Sequence, residues 1–104
     1  MPEIEAIEKE YEEILQKLSD PGLISDWKKF EVITKKKIFL EKIITKQEEL
    51  KETKSKIEEN KAILSTKEDP ELVSLAQEEL PSLWKRQKVL EKELKSLLND
   101  GKSE

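Results

Sequence analysis

From Trp27 to Asp69 the chain carries no glycine and no proline. Nothing in those residues punctuates the backbone, and apolar side chains recur at steps of three and four, the period of one helix face. Phe30, Ile33, Leu40 and Ile44 form one stripe, which Ile43, Gln47, Leu50, Ile57 and Leu64 continue with a slight drift. Lys37, Lys54 and Lys61 fall on the same spacing and interrupt it. Ser25 or Asp26 can cap the start by accepting a backbone N–H. A helix over 26–65 follows, roughly 58 Å long at 1.5 Å per residue, a length suited to a coiled-coil arm.

Two shorter segments flank it. Ile4, Ile7, Tyr11, Ile14, Leu15 and Leu18 share one face, which predicts a helix over 3–19. Pro2 suits its first position, and Pro21 disfavours helical dihedrals at Asp20. At the other end Asp69 caps, Pro70 begins and Glu71 favours the dipole of a helix over 70–99. Val73, Ala76, Leu80, Leu83, Gln87, Leu90, Leu94 and Leu97 keep its heptad spacing without a miss. Asn99-Asp100-Gly101 ends it, with Gly101 available for a left-handed cap. Pro81 lies inside this segment and predicts a kink rather than a break, because Leu80 is a poor cap.

The fold expected is all-α, with three helices. Helices two and three make a long antiparallel hairpin, because the break at 65–70 is short. The first helix packs at the hairpin base, near Phe30–Ile44 and Gln87–Leu98. Folding about residue 68 brings Gln47 near Gln87. Tyr11, Trp27, Phe30 and Phe39 are expected to gather at the base, with Leu23 and Ile24 tucked against the hairpin and the 65–70 tip left thinner and more mobile.

With 104 residues, one domain is expected. Only 35% of residues are hydrophobic and 42% are charged, too little apolar material for a thick core but enough for narrow seams. There is no Cys and no His, which excludes disulfides, thiolate zinc sites, a Cys nucleophile and a His general base. The only glycines are Gly22 and Gly101, so no phosphate-cradling loop exists. No apolar run approaches the roughly 18 residues that span a bilayer, and the acidic, amphipathic start is unlike a targeting peptide. A cytoplasmic protein without catalytic residues, metal or cofactor is the expectation.

Charge is unevenly spread. Residues 1–25 carry −5, residues 26–46 carry +4, and the chain as a whole carries −4. Lys28, Lys29, Lys35, Lys36, Lys37 and Lys42 make the one basic cluster. Lys28, Lys35 and Lys42 lie seven apart on one side of a helix, a row able to track a phosphate backbone. Pairing with the acidic first helix is the competing use. Trp27 and Trp84 offer stacking platforms, although burial as anchors is the expected use.

The stretch "EKEYEEILQKLSDPGLISDWKKFEVITKKKIFLEKII" at 8–44 resembles the N-terminal domain of bacterial class I peptide chain release factors. The resemblance rests on Tyr11 in an acidic helix, Leu18-Ser19-Asp20-Pro21, the second pair Ser25-Asp26, then Lys29 and Phe30. "EDPELVSLAQEEL" at 68–80 is similar to the same family's next helix start. Likeness extends over about residues 3 to 98 and is strongest to the branch reading UAA and UAG. Trp27 stands where the family often has proline, and Pro81 where its helix is usually unbroken.

The resemblance implies the N-terminal domain of a factor that directs translation termination. The family's Gly-Gly-Gln and its codon-reading Pro-x-Thr-type tripeptide do not occur in this chain. Expected partners are the ribosome, at the large-subunit stalk base, and the recycling GTPase release factor, with no membrane and no direct DNA binding. Lys28, Lys35 and Lys36 are the candidate ribosome-contact face, and a monomer is expected. Two alternatives stay open: the helical hairpin arm of an aminoacyl-tRNA synthetase, and a coiled-coil oligomerisation module.

Overall fold

The computed structural model describes residues 2–102. They form four helices and, among the described residues, no strand. These are α1 (Pro2–Leu18), α2 (Pro21–Ile24), α3 (Trp27–Thr66) and α4 (Pro70–Lys102). The chain is all-α as expected, with one helix more than the three predicted. The addition is α2, a single helical turn in the break between the first two predicted helices.

Local side-chain chemistry makes that turn. Asp20 is extended at φ −78° and ψ 118°, and its Oδ1 accepts the Gly22 N–H at 3.0 Å. A Cβ on Gly22 would stand 3.3 Å from that same Oδ1, so the small residue lets the cap close. Ser25 Oγ donates to the Gly22 carbonyl at 2.7 Å and closes the other end. Ser19 Oγ likewise donates to the Leu15 carbonyl at 3.0 Å, just past α1. Of the two candidates to cap α3, the aspartate serves: Asp26 Oδ1 accepts the Lys29 N–H at 3.3 Å. Asp69 repeats the Asp-Pro device of Asp20, accepting the Glu71 N–H at 2.9 Å.

The chain divides into two compact units, Met1–Thr45 and Lys46–Glu104. In the first, Ile4, Ile14, Leu40 and Ile43 are buried. Tyr11 donates to Glu41 Oε2 at 3.2 Å, and Lys36 pairs with Glu10, tying α1 to the early turns of α3. Leu23 is half-buried, whereas Ile24 is 65% exposed, so the tucked position expected for Ile24 is not taken up.

The second unit is an antiparallel hairpin of the later turns of α3 and of α4. Lys46 meets Glu93, Glu49 meets Arg86, and Asn60 meets Glu79. As residue number rises on one helix it falls on its partner. Leu50, Ile57, Ala76, Leu80, Leu90 and Leu94 are buried. Thr53 and Asn60 are buried with them, each 7% exposed. The seam on α3 therefore runs 50, 53, 57, 60, while Lys54 and Lys61 stand exposed beside it. The lysines do not interrupt the stripe; two polar residues continue it. Thr53 manages this by donating to the Glu49 carbonyl at 2.8 Å, and Asn60 by donating to Glu79 Oε2 at 3.3 Å.

Gln47 and Gln87 are both half-buried, and Gln47 Oε1 is enclosed with no hydrogen-bond partner. Pro81 sits inside one unbroken helix. Both Pro81 and Gln77, whose carbonyl loses its donor, are exposed, so water can replace the missing bond. α4 also runs through Gly101 to Lys102 rather than stopping for a left-handed cap. Glycine costs a helix only about 1 kcal/mol, and this one lies at its last turn. The left-handed residue is instead Lys67, at φ 53°, just after α3. Its N–H bonds the Ile63 carbonyl at 3.1 Å, the cap that glycine usually makes.

Candidate interaction face

The face begins where Asp26 caps α3, because that cap fixes which way Trp27, Lys28 and Lys29 project. Trp27 is 69% exposed, and its indole stacks on Phe30 with centroids 6.1 Å apart and planes 25° apart. Trp84 is 45% exposed. Burial was the expected fate of both tryptophans, and neither is buried. The gathering of Tyr11, Trp27, Phe30 and Phe39 reduces, in ring contacts among the described residues, to the Trp27–Phe30 stack. None of the five aromatic side chains is in the buried set. A seam between paired helices takes Leu and Ile in ordinary rotamers, whereas an indole needs a thicker core.

The three lysines singled out from sequence are differently placed. Lys28 is exposed and makes no ion pair among the described residues. Lys35 pairs with Glu31, one turn before it, at 3.2 Å, and both side chains stay more than half exposed. Lys36 is engaged with Glu10 of α1. Sequence reasoning weighed a phosphate-tracking row against pairing with the acidic first helix. The pairing with α1 occurs at Lys36, while Lys28, Lys35 and Lys42 are exposed along the outward row. Lys42, exposed and without an ion pair among the described residues, belongs with Lys28 more than Lys36 does. The seven-residue spacing already contained that signal.

Elsewhere the charged groups act structurally. Partial burial, then the hydrogen bond to Glu41 and the charges of Glu41 and Glu12, raise the Tyr11 pKa above the ordinary tyrosine value. In the hairpin, the hydrogen bond from Lys46 at 2.7 Å holds Glu93 below the usual glutamate value against the opposing effect of burial, with Lys46 and Arg86 charges assisting. Among the described residues no group of His, Cys, Asp or Glu is arranged to hold a metal ion. No helix there is long and apolar enough to cross a membrane.

Comparison with known proteins matches the family described as the PCRF domain over residues 7–104. Curated relatives share the name peptide chain release factor 1. The one from Clostridium tetani is 39% identical over 92 residues, covering 88% of this chain and 26% of the relative. That from Lactobacillus johnsonii is 34% identical over 98 residues, covering 94% and 27%. That from Clostridium perfringens is 35% identical over 102 residues, covering 93% and 28%. The chain thus spans about a quarter of the length of the curated relatives it matches. No solved structure matches.

Proposed function

The chain belongs to the PCRF domain family, and on that premise we propose that it is the N-terminal helical domain of a peptide chain release factor acting at UAA and UAG. The observation that carries this is the match along nearly the whole chain to relatives named peptide chain release factor 1. The parent factor triggers hydrolysis of peptidyl-tRNA by the ribosome in the cytoplasm. This segment supplies neither codon reading nor the hydrolytic tripeptide. Its work is contact: with the ribosome at the stalk base of the large subunit, and with the recycling GTPase.

The basic face of α3 suits the first of these contacts. Lys28 makes no ion pair among the described residues, and the Lys35–Glu31 pair is exposed, of a kind worth only about 0.3–0.5 kcal/mol. A phosphate can displace such a carboxylate. The test is a full-length release factor carrying this segment with Lys28, Lys35 and Lys36 each changed to Glu. Ribosome affinity is expected to fall, and the dependence of log affinity on log salt to flatten by roughly one per lost lysine contact. Unchanged affinity and salt slope would remove the face from the reading. The isolated segment is expected to sediment as a monomer.

A further inference from the structure

Trp27 is a large apolar side chain, exposed beside the basic face, that the basic-face reading does not use. It is the most exposed of the large hydrophobic residues, yet it is not loose. Phe30, half-buried one turn later, stacks behind it, and the Asp26 cap fixes the first turn that carries it. One ring is therefore held by the protein with much of its surface left to solvent.

The charges around it are basic. Residues 26–46 carry +4. Lys28 adjoins Trp27, and Lys35 and Lys42 follow at seven-residue steps on the same outward side, each about 10 Å further along the helix. Glu31, the acid lying between them, meets Lys35 only in an exposed pair that a phosphate can displace. An aromatic ring at the head of a row of evenly spaced lysines is the arrangement that binds single-stranded nucleic acid. The ring stacks a base of any identity, and the lysines follow the phosphates. Lys28 and Glu31 stand near the indole, and Ile24 and Val32 are exposed in the same region, so docking on protein is kept as an outcome of the test.

We propose that Trp27, backed by Phe30, is a stacking platform for an unpaired RNA base, with Lys28, Lys35 and Lys42 following the adjoining backbone. This rests on the reading of the chain as a ribosome-binding segment and names the ribosomal component it would touch there. Trp27 is a binding residue; no bond is made or broken.

The test titrates the chain into an end-labelled oligoadenylate of about eight nucleotides and follows its anisotropy. Trp27→Ala is expected to weaken binding about tenfold or more. Trp27→Phe should retain most of it, and Trp84→Ala should leave it within about twofold. Inorganic polyphosphate, which has no base to stack, should bind wild type and Trp27→Ala alike. Equal oligoadenylate binding by wild type and Trp27→Ala would overturn the proposal. A second arm places Trp27→Ala in a full-length factor carrying this segment and measures ribosome binding. Loss there without loss of oligoadenylate binding would mean that the indole docks on protein, which also overturns it. No change in either arm, with wild type still binding ribosomes, defeats the platform and leaves the ribosome reading standing. A wild-type factor that fails to bind ribosomes defeats the reading beneath it.

Discussion

The early turns of α3 and the hairpin formed by its later turns with α4 make opposite use of similar side chains. In the hairpin, apolar residues are inside and charges reach across: Leu90 is fully buried, and Lys46, Glu93, Arg86 and Glu49 link the helices. At the start of α3, Trp27 and Val32 face solvent, as does Ile24 at the end of α2, and nearby Lys28 and Lys35 are, among the described residues, without an ion pair or weakly paired. Burial contributes stability roughly in proportion to apolar area removed from water, so the hairpin seam stabilises the fold where the exposed side chains at the start of α3 do not. The largest apolar side chain of the first region contributes little of it. That contrast separates an exposed surface, to which the proposed contact is assigned, from a seam that holds the helices together.

The sharpest way to break the comparison is to truncate one residue in each region. Leu90→Ala, in the hairpin seam, is expected to destabilise by about 2–5 kcal/mol in urea unfolding followed by far-UV circular dichroism. Trp27→Ala should stay within about 0.5 kcal/mol despite removing a larger side chain. Comparable losses would mean that Trp27 is part of the core after all. Next in size is Gln47→Leu, which removes an enclosed oxygen that has no partner. It should raise stability by about 1 kcal/mol, and a loss in the same unfolding experiment would show that the oxygen is in fact satisfied.

Smaller still is Lys67→Gly at the hairpin turn. A side chain in the left-handed region costs about 1 kcal/mol, so glycine there should gain somewhat less, once its freer unfolded chain is counted. The melting temperature should rise by a few degrees. Finally, pH should separate the two units. Glu93 is depressed in the folded state, so its contribution is present above the ordinary glutamate value and is lost as pH falls through its folded value. Tyr11 is raised, so its contribution is full below the ordinary tyrosine value and is lost as pH rises beyond it. Glu93→Gln should make the acid-side decline shallower, and Tyr11→Phe the alkaline-side decline. Swapped effects would contradict both contacts.

Helix type and order were legible in the sequence because Pro21, Pro70 and the aspartates before them punctuate it, and because the 73–97 heptads are unbroken. α2 was less visible, since a single turn has no periodicity and only the Asp20–Gly22 cap gives it away. The seam through Thr53 and Asn60 was hidden by chemistry: a polarity pattern passes over side chains that bury themselves by bonding a nearby carbonyl or carboxylate. The aromatic residues misled in the other direction. Trp27 reads as a core anchor by composition, but a narrow seam has no place for it. Of the candidate face, Lys28 and Lys35 were named from spacing and net charge alone, and both stand exposed. That Lys36 turns to Glu10 depends on where α1 lies, which spacing within α3 does not encode.

The exposure of both tryptophans has an optical consequence. An indole already surrounded by water emits at long wavelength, and unfolding moves it into water once more. Tryptophan emission should therefore barely shift when this chain melts, and a flat emission trace would not mean a stable protein. With Trp84 changed to Phe, the same insensitivity makes Trp27 a reporter of its own surroundings, since a change in its light at constant helicity then reports something arriving at its face.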